Sequence, residues 1–219
     1  LLKNRFFNIF FVTFCLMVLI NGGNFIDGIN GLLIKYNLII FIIILIFFGN
    51  HKEVNDLYLI SIITVLTFLL LLNYAGLIYM GDSGAYLLSI FTGIFLIKFS
   101  HQNSSISPYF VIICLWYPCF ELLFSMIRRL NKNNKTYQAD TYHLHQIIYL
   151  KLKSIIKQKN NLLIHLISSF CINFYNLIML LFAVNFIYSS LILNFILLFN
   201  ITIYISIYFI LRNKVQIDN

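Results

Sequence analysis

Residues 6–48 read FFNIFFVTFCLMVLI, then NGGNFIDGINGL, then LIKYNLIIFIIILIFF. The two flanks are too long and too continuously apolar for alternating strands. A spanning helix needs about 20 mostly apolar residues, and only helices or closed barrels can satisfy their backbone in lipid. Two spanning helices joined by a polar connection are therefore expected. In that connection Asn21, Asn24, Asp27 and Asn30 fall at steps of three. Residues three apart are neighbours on a helix, so the four would form one slanting polar ladder if the helix ran on. Gly22, Gly23, Gly28 and Gly31 lie between them, where a chain without Cβ atoms can turn or let a ligand come close.

The same pattern extends along the chain. Of its 219 residues 61% are hydrophobic and 10% charged, against roughly a quarter charged in a soluble domain. Apolar runs at 6–21, 32–48, 57–73, 85–99, 108–127, 161–182 and 186–211 predict an all-α polytopic membrane protein. It would have about seven transmembrane helices in one membrane-embedded domain over 1–219. Pro108 suits the start of the fifth run, and Pro118 inside it predicts a kink. Cys15, Cys114, Cys119 and Cys171 all lie in apolar segments and read as small hydrophobes.

The net charge of +8 is uneven: eight of the fifteen basic residues lie in 128–160, from Arg128 and Arg129 to Lys157 and Lys159. Basic loops stay cytoplasmic. Alternation then puts 21–31, 74–84 and the C-terminal tail on that same side, and Arg128 and Arg129 anchor their helix at the lipid headgroups. Topology and attraction to anionic lipid explain the charge, so no nucleic-acid partner is expected.

Three polar patches share that side: 21–31, YMGDSGAYLL around Asp82, and YQADTYHLHQIIY with Asp140, His143 and His145. Taken singly, each has a plain explanation. Asp82 reads as a helix cap, the Asn and Asp residues as turn formers, and His143 and His145 as a solvated pair. Together they read differently. The chain has seven acids, and three of them, Asp27, Asp82 and Asp140, fall inside the patches, although ionisable groups at membrane depth are costly. Carboxylate and amide oxygens suit Mg2+, which takes one or two carboxylates and completes its shell on substrate phosphates. Histidines and glycine-flanked N–H groups suit a diphosphate. Phosphoryl chemistry on a lipid is the expectation. A transporter with polar groups lining a pathway is the competing class, but it places its acids at the midplane.

NGGNFIDGINGL, MGDSGAYLLS at 80–89, and YPCFELLFSMIRRL followed by QADTYHLHQIIY resemble the successive signatures of the polyprenyl-phosphate N-acetylhexosamine-1-phosphate transferases, glycosyltransferase family 4. The resemblance implies transfer of a sugar-1-phosphate from a UDP-sugar to polyprenyl (undecaprenyl) phosphate, with release of UMP. It implies a multi-pass protein of the cell inner membrane, its site facing the cytoplasm, that initiates a cell-surface polysaccharide such as O-antigen. The two helices after the histidines are similar to the O-antigen and common-antigen branch. By resemblance, Asp82 and Asn24 bind the metal, Mg2+ with Mn2+ as a substitute. Asp82, Asp27, His143 and His145 form the catalytic set, and Asn30, Asn21 and Asp140 contact substrate. A homodimer is compatible with the family. Family members also carry earlier helices and a pair of adjacent aspartates for the lipid phosphate. No Asp-Asp pair occurs here, so these 219 residues alone would be a truncated, catalytically incomplete member.

Overall fold

The computed structural model describes residues 5–49, 56–130, 142–156 and 161–217, with side chains to residue 213. Among these described residues eight helices follow in order: α1 (Arg5–Ile26), α2 (Leu32–Phe48), α3 (Asp56–Tyr74), α4 (Gly81–Gln102), α5 (Pro108–Leu130), α6 (Leu144–Ile156), α7 (Asn161–Val184) and α8 (Ser190–Ile217). Among the described residues there is no strand. Six helices are long and apolar enough to cross a membrane, and α2 is a shorter apolar helix of 17 residues. The protein is an all-α, polytopic membrane protein. The seven expected runs all appear, and α6 is an addition: 13 residues, too short to span, beside the histidine patch.

Large apolar side chains cover the outside. Phe6, Phe10 and Leu57 are 83%, 73% and 77% exposed, which water would penalise and hydrocarbon does not. Inside, the helices meet through small residues, the usual device where lipid removes any hydrophobic drive for helix association. A Cβ on Gly22 would lie 2.2 Å from the carbonyl oxygen of Pro118, and one on Gly23 would lie 1.9 Å from Ser89 Oγ. Further up the same pair, Gly93 of α4 lies under Leu16 and Leu19. Since Gly23 meets Ser89 while Leu16 meets Gly93, α1 and α4 run antiparallel. The last turn of α1 and the first turn of α4 therefore share one end of the bundle.

Polar side chains tie the interior together. Thr92 Oγ1 donates to Asn37 Oδ1 at 2.7 Å, Trp116 Nε1 to Asn176 Oδ1 at 2.9 Å, and Asn173 Nδ2 to the carbonyl of Leu32 at 3.2 Å. One of these bonds answers a specific need. Pro118 has no N–H, so the carbonyl of Cys114 one turn earlier loses its helical partner. Tyr36 of α2, buried, donates its hydroxyl to that oxygen at 2.9 Å.

The connections sort to opposite ends. At one, Ser107 N–H donates to the carbonyl of Ile187, and the hydroxyls of Ser107 and Ser190 are 2.8 Å apart. At the other, the chain turns through 27–31. There Gly31 has φ 74°, and its Cα faces the Tyr74 ring so closely that a Cβ would overlap it; only glycine meets both demands without strain.

Two substitutions test this packing. Gly22→Ala gains about 1 kcal/mol of helix propensity but must push α1 off the Pro118 backbone, at about 1–3 kcal/mol. Net destabilisation in a detergent thermal melt is expected, and a rise in Tm would contradict the close approach. Tyr36→Phe strands a buried carbonyl and should cost about 1–3 kcal/mol in the same melt.

Candidate active site

The first two patches meet where α1 ends and α4 begins. Asn24 donates its amide nitrogen to the Tyr86 hydroxyl at 3.4 Å. Tyr86 is one turn beyond Asp82, so the two share a face of α4. Asp82 is exposed in the first turn of α4. The helix takes Met80 as its N-cap with no side-chain cap bond, so Asp82 is not a capping residue. Its negative charge still suits a helix N-terminus. Asp27, half-buried in the turn, is pushed up to about 7, first by burial and then by the charge of Asp82.

The expected ladder is not continuous. α1 stops at Ile26, because Gly28 and Gly31 turn the chain. Asn24 and Asp27 lie towards α4. Asn30 is half-buried beyond the break. Asn21 is exposed and donates its amide to the carbonyl of Met17 on its own helix at 2.8 Å, so no contact joins it to the other site residues. Asp140 lies outside the described residues. Gly22 and Gly23 serve helix packing, and Gly28 alone of the patch's glycines admits a site residue: a Cβ there would be 3.2 Å from His145 Nε2.

That contact brings in the third patch. His143 and His145 are 5% and 0% exposed, a buried pair in place of a solvated one. Their rings stack at 5.5 Å and 12°. Phe25 of α1 sets its ring against His143 at 4.8 Å. Arg129 lies 5.8 Å over Phe25, and Arg128 lies 5.9 Å over Tyr142 and 5.6 Å over Tyr208. Both arginines are half-buried beside aromatic rings at this end.

His145 is pushed down to about 4, chiefly by burial, with His143 adding to the shift and Glu121 opposing it. A neutral imidazole offers one donor and one acceptor. Neither ring nitrogen of His145 has a partner in the structure. Leaving such a group unpaired costs about 1–3 kcal/mol, so the site carries unused hydrogen-bonding capacity beside the Asp27 turn.

A metal would find a partial cage. Among the described residues no three His, Cys, Asp or Glu side chains are grouped closely enough to hold an ion by themselves. Two neighbouring carboxylates whose repulsion already raises one of them, with the Asn24 amide oxygen nearby, match the small protein share that Mg2+ takes when phosphates complete its shell.

Residues 2–100, which hold the first two patches, match the model for the family described as Glycosyl transferase family 4. The undecaprenyl-phosphate alpha-N-acetylglucosaminyl 1-phosphate transferases of Escherichia coli K12 and Shigella flexneri are each 27% identical to this chain. Both matches run over 150 residues, which is 65% of the chain and 41% of the relative. The transferase of Yersinia pestis is 27% identical over 143 residues, 62% of the chain and 39% of the relative. The chain thus spans about two fifths of the length of the curated relatives it matches. No solved structure matches it significantly.

The residue that sequence reasoning passes over is Glu121. It is fully buried in α5 and accepts hydrogen bonds from His143 and from Tyr204 of α8. The signal was present, since an acid inside a spanning run is by default a functional candidate.

The meeting of the two aspartates can be measured. Asp82→Asn removes one of the two causes that raise Asp27, so its titration midpoint, followed by the carboxylic C=O stretch in the infrared, should fall. It should stay above 3.8 because burial remains. An unchanged midpoint would mean that the carboxylates are too far apart to act on one cation.

Proposed function

We propose that this protein transfers a sugar-1-phosphate, of N-acetylhexosamine type, from a UDP-sugar to undecaprenyl phosphate at the cytoplasmic face of the inner membrane. What supports this most is the convergence of three polar segments, distant in sequence, at one end of the bundle: Asp27 beside Asp82, and Gly28 against His145. The curated relatives, named for transfer of N-acetylglucosaminyl 1-phosphate on undecaprenyl phosphate, supply the substrate class.

In this reaction an oxygen of the lipid phosphate attacks the β-phosphorus of the UDP-sugar. A new P–O bond forms, the bridging bond to the α-phosphate breaks, and UMP leaves with the electron pair. Asp82, Asp27 and Asn24 would hold a divalent cation, Mg2+ or Mn2+, which when bound offsets charge on a diphosphate. His145, neutral and unpartnered, is placed to donate to a phosphate oxygen once a ligand fills the space by the Asp27 turn. Asn30 in that turn and Asp140 are the candidates for the nucleotide and sugar ends. Arg128 and Arg129 keep the rim positive. Most of the acceleration in phosphoryl transfer comes from positioning and electrostatics, which suits a site of fixed donors with no covalent nucleophile. Initiation of a surface polysaccharide such as O-antigen is the role this product would serve. The transporter alternative loses support because Asp27 and Asp82 sit at helix ends and not facing each other at mid-membrane.

The test is UMP release in membranes containing the protein, from a panel of UDP-sugars with undecaprenyl phosphate, with and without Mg2+. Asp82→Asn should lower turnover by at least about 100-fold while membrane insertion is retained. Near-normal release by that variant would remove Asp82 from the chemistry.

A further inference from the structure

Glu121 has no part in the proposed transfer, yet both of its carboxylate oxygens are hydrogen-bonded. One oxygen, Oε1, accepts from His143 Nδ1 at 3.0 Å and from the backbone N–H of Leu144 at 3.2 Å. The other, Oε2, accepts from the Tyr204 hydroxyl at 2.8 Å. A carboxylate buried with a partner missing would be strongly destabilising; here three donors reach it from two parts of the chain, residues 143–144 and Tyr204.

Each bond has a consequence. An ionised carboxylate can only accept, so the bond to His143 requires the proton to be on Nδ1, leaving Nε2 for whatever lies on the other side of the ring. Leu144 is the first residue of α6, and its N–H is one of the donors that a helix start leaves unpaired. The residue before a helix commonly caps it with its own side chain. That residue is His143, whose ring is turned to Glu121, so the cap comes from α5, with the charge favoured by the helix dipole. Tyr204, buried in α8, holds the carboxylate from behind. His145 follows one residue into α6, stacked on the ring so fixed.

We propose that Glu121 is the positioning residue of the histidine pair: it fixes the proton on His143 Nδ1 and, by capping α6, sets where His145 meets the Asp27 turn. Its effect on turnover rests on the transferase function proposed above; its effect on His143 does not. Ser125 Oγ, 3.2 Å from the same Nδ1, is the rival partner.

The test is solid-state NMR of the protein in bilayers with 15N-labelled histidine, the His143 signals being assigned by their loss in His143→Gln. In the wild type Nδ1 should be protonated, with the downfield proton shift of a charge-assisted bond. A bare Nδ1 there would overturn the proposal without any variant. In Glu121→Gln, nearly the same shape without the charge, that proton signal should move upfield or vanish. UMP release should fall by about 10–100-fold, as when the residue orienting a site ligand is lost. Ser125→Ala should leave the signal in place. An unchanged signal in Glu121→Gln, or one lost in Ser125→Ala instead, would overturn the proposal whatever the activity. A wild type that releases no UMP from any donor would sink the transferase function and leave this test standing.

Discussion

Everything at the polar end depends on how closely α1 can lie against α4 and α5. With no room for even a methyl group at Gly22 or Gly23, the three helices touch backbone to backbone or nearly so. That contact is what places Asn24 under Tyr86, Asp27 near Asp82 and Phe25 against His143. In water a bundle can be held by burying Leu and Ile. In lipid, both sides of such a contact are equally apolar, and van der Waals fit and buried hydrogen bonds must hold it. The Tyr36 bond to the carbonyl freed by Pro118 and the Asn37–Thr92 pair belong to the same means of cohesion. The site is thus a by-product of tight packing, and loosening α1 would separate two of its patches at once.

Three acids among the described residues, Glu121, Asp27 and Asp82, fall into two physical kinds. Glu121 is deep, fully buried and surrounded by donors, so its charge is spent on holding other groups in place. Asp27 and Asp82 have nothing of the sort. Asp27 is raised to about 7, first by burial and then by the charge of Asp82. Unrelieved repulsion between carboxylates is an arrangement that folding alone would not favour, whereas a cation or a cation-bearing substrate relieves it. His145 repeats the pattern in neutral form, buried with both nitrogens unpartnered. Glu121 is satisfied on both oxygens, while His145 is left short.

Much of this is legible from residue order, and the illegible part has physical causes. Runs such as 32–48 declare themselves because lipid permits little else of that length and composition. The clustering of Asp27, Asp82 and the histidines on one side follows from counting helices. The ladder of Asn and Asp at steps of three misleads, since the spacing suits a helix while Gly28 and Gly31 end it. Glycines in a row give no hint of whether they face a site residue or a neighbouring spanning helix: Gly22 and Gly23 take the second role and Gly28, against His145, the first. α6 hides because 13 residues with Lys151 and Lys153 read as more basic loop. Glu121 hides for a different reason. Its partners, His143 and Tyr204, lie 22 and 83 residues away, so nothing local distinguishes it from a chance acid.

The location of the site also bears on what it can handle. A nucleotide diphosphate cannot enter hydrocarbon, and a polyprenyl tail cannot leave it, so their phosphates can meet only at the boundary. At the end of the bundle where α1 stops and α4 starts, Asp82 is exposed, while Ala85, Leu88 and Ser89 further along α4 are buried, as a site at such a boundary would require. A pathway through the protein would instead need its charges opposed across the middle of the bilayer, with a polar route to each side. Two mid-helix pairs, Asn37 with Thr92 and Trp116 with Asn176, bond to each other across helices, which makes them struts of the bundle.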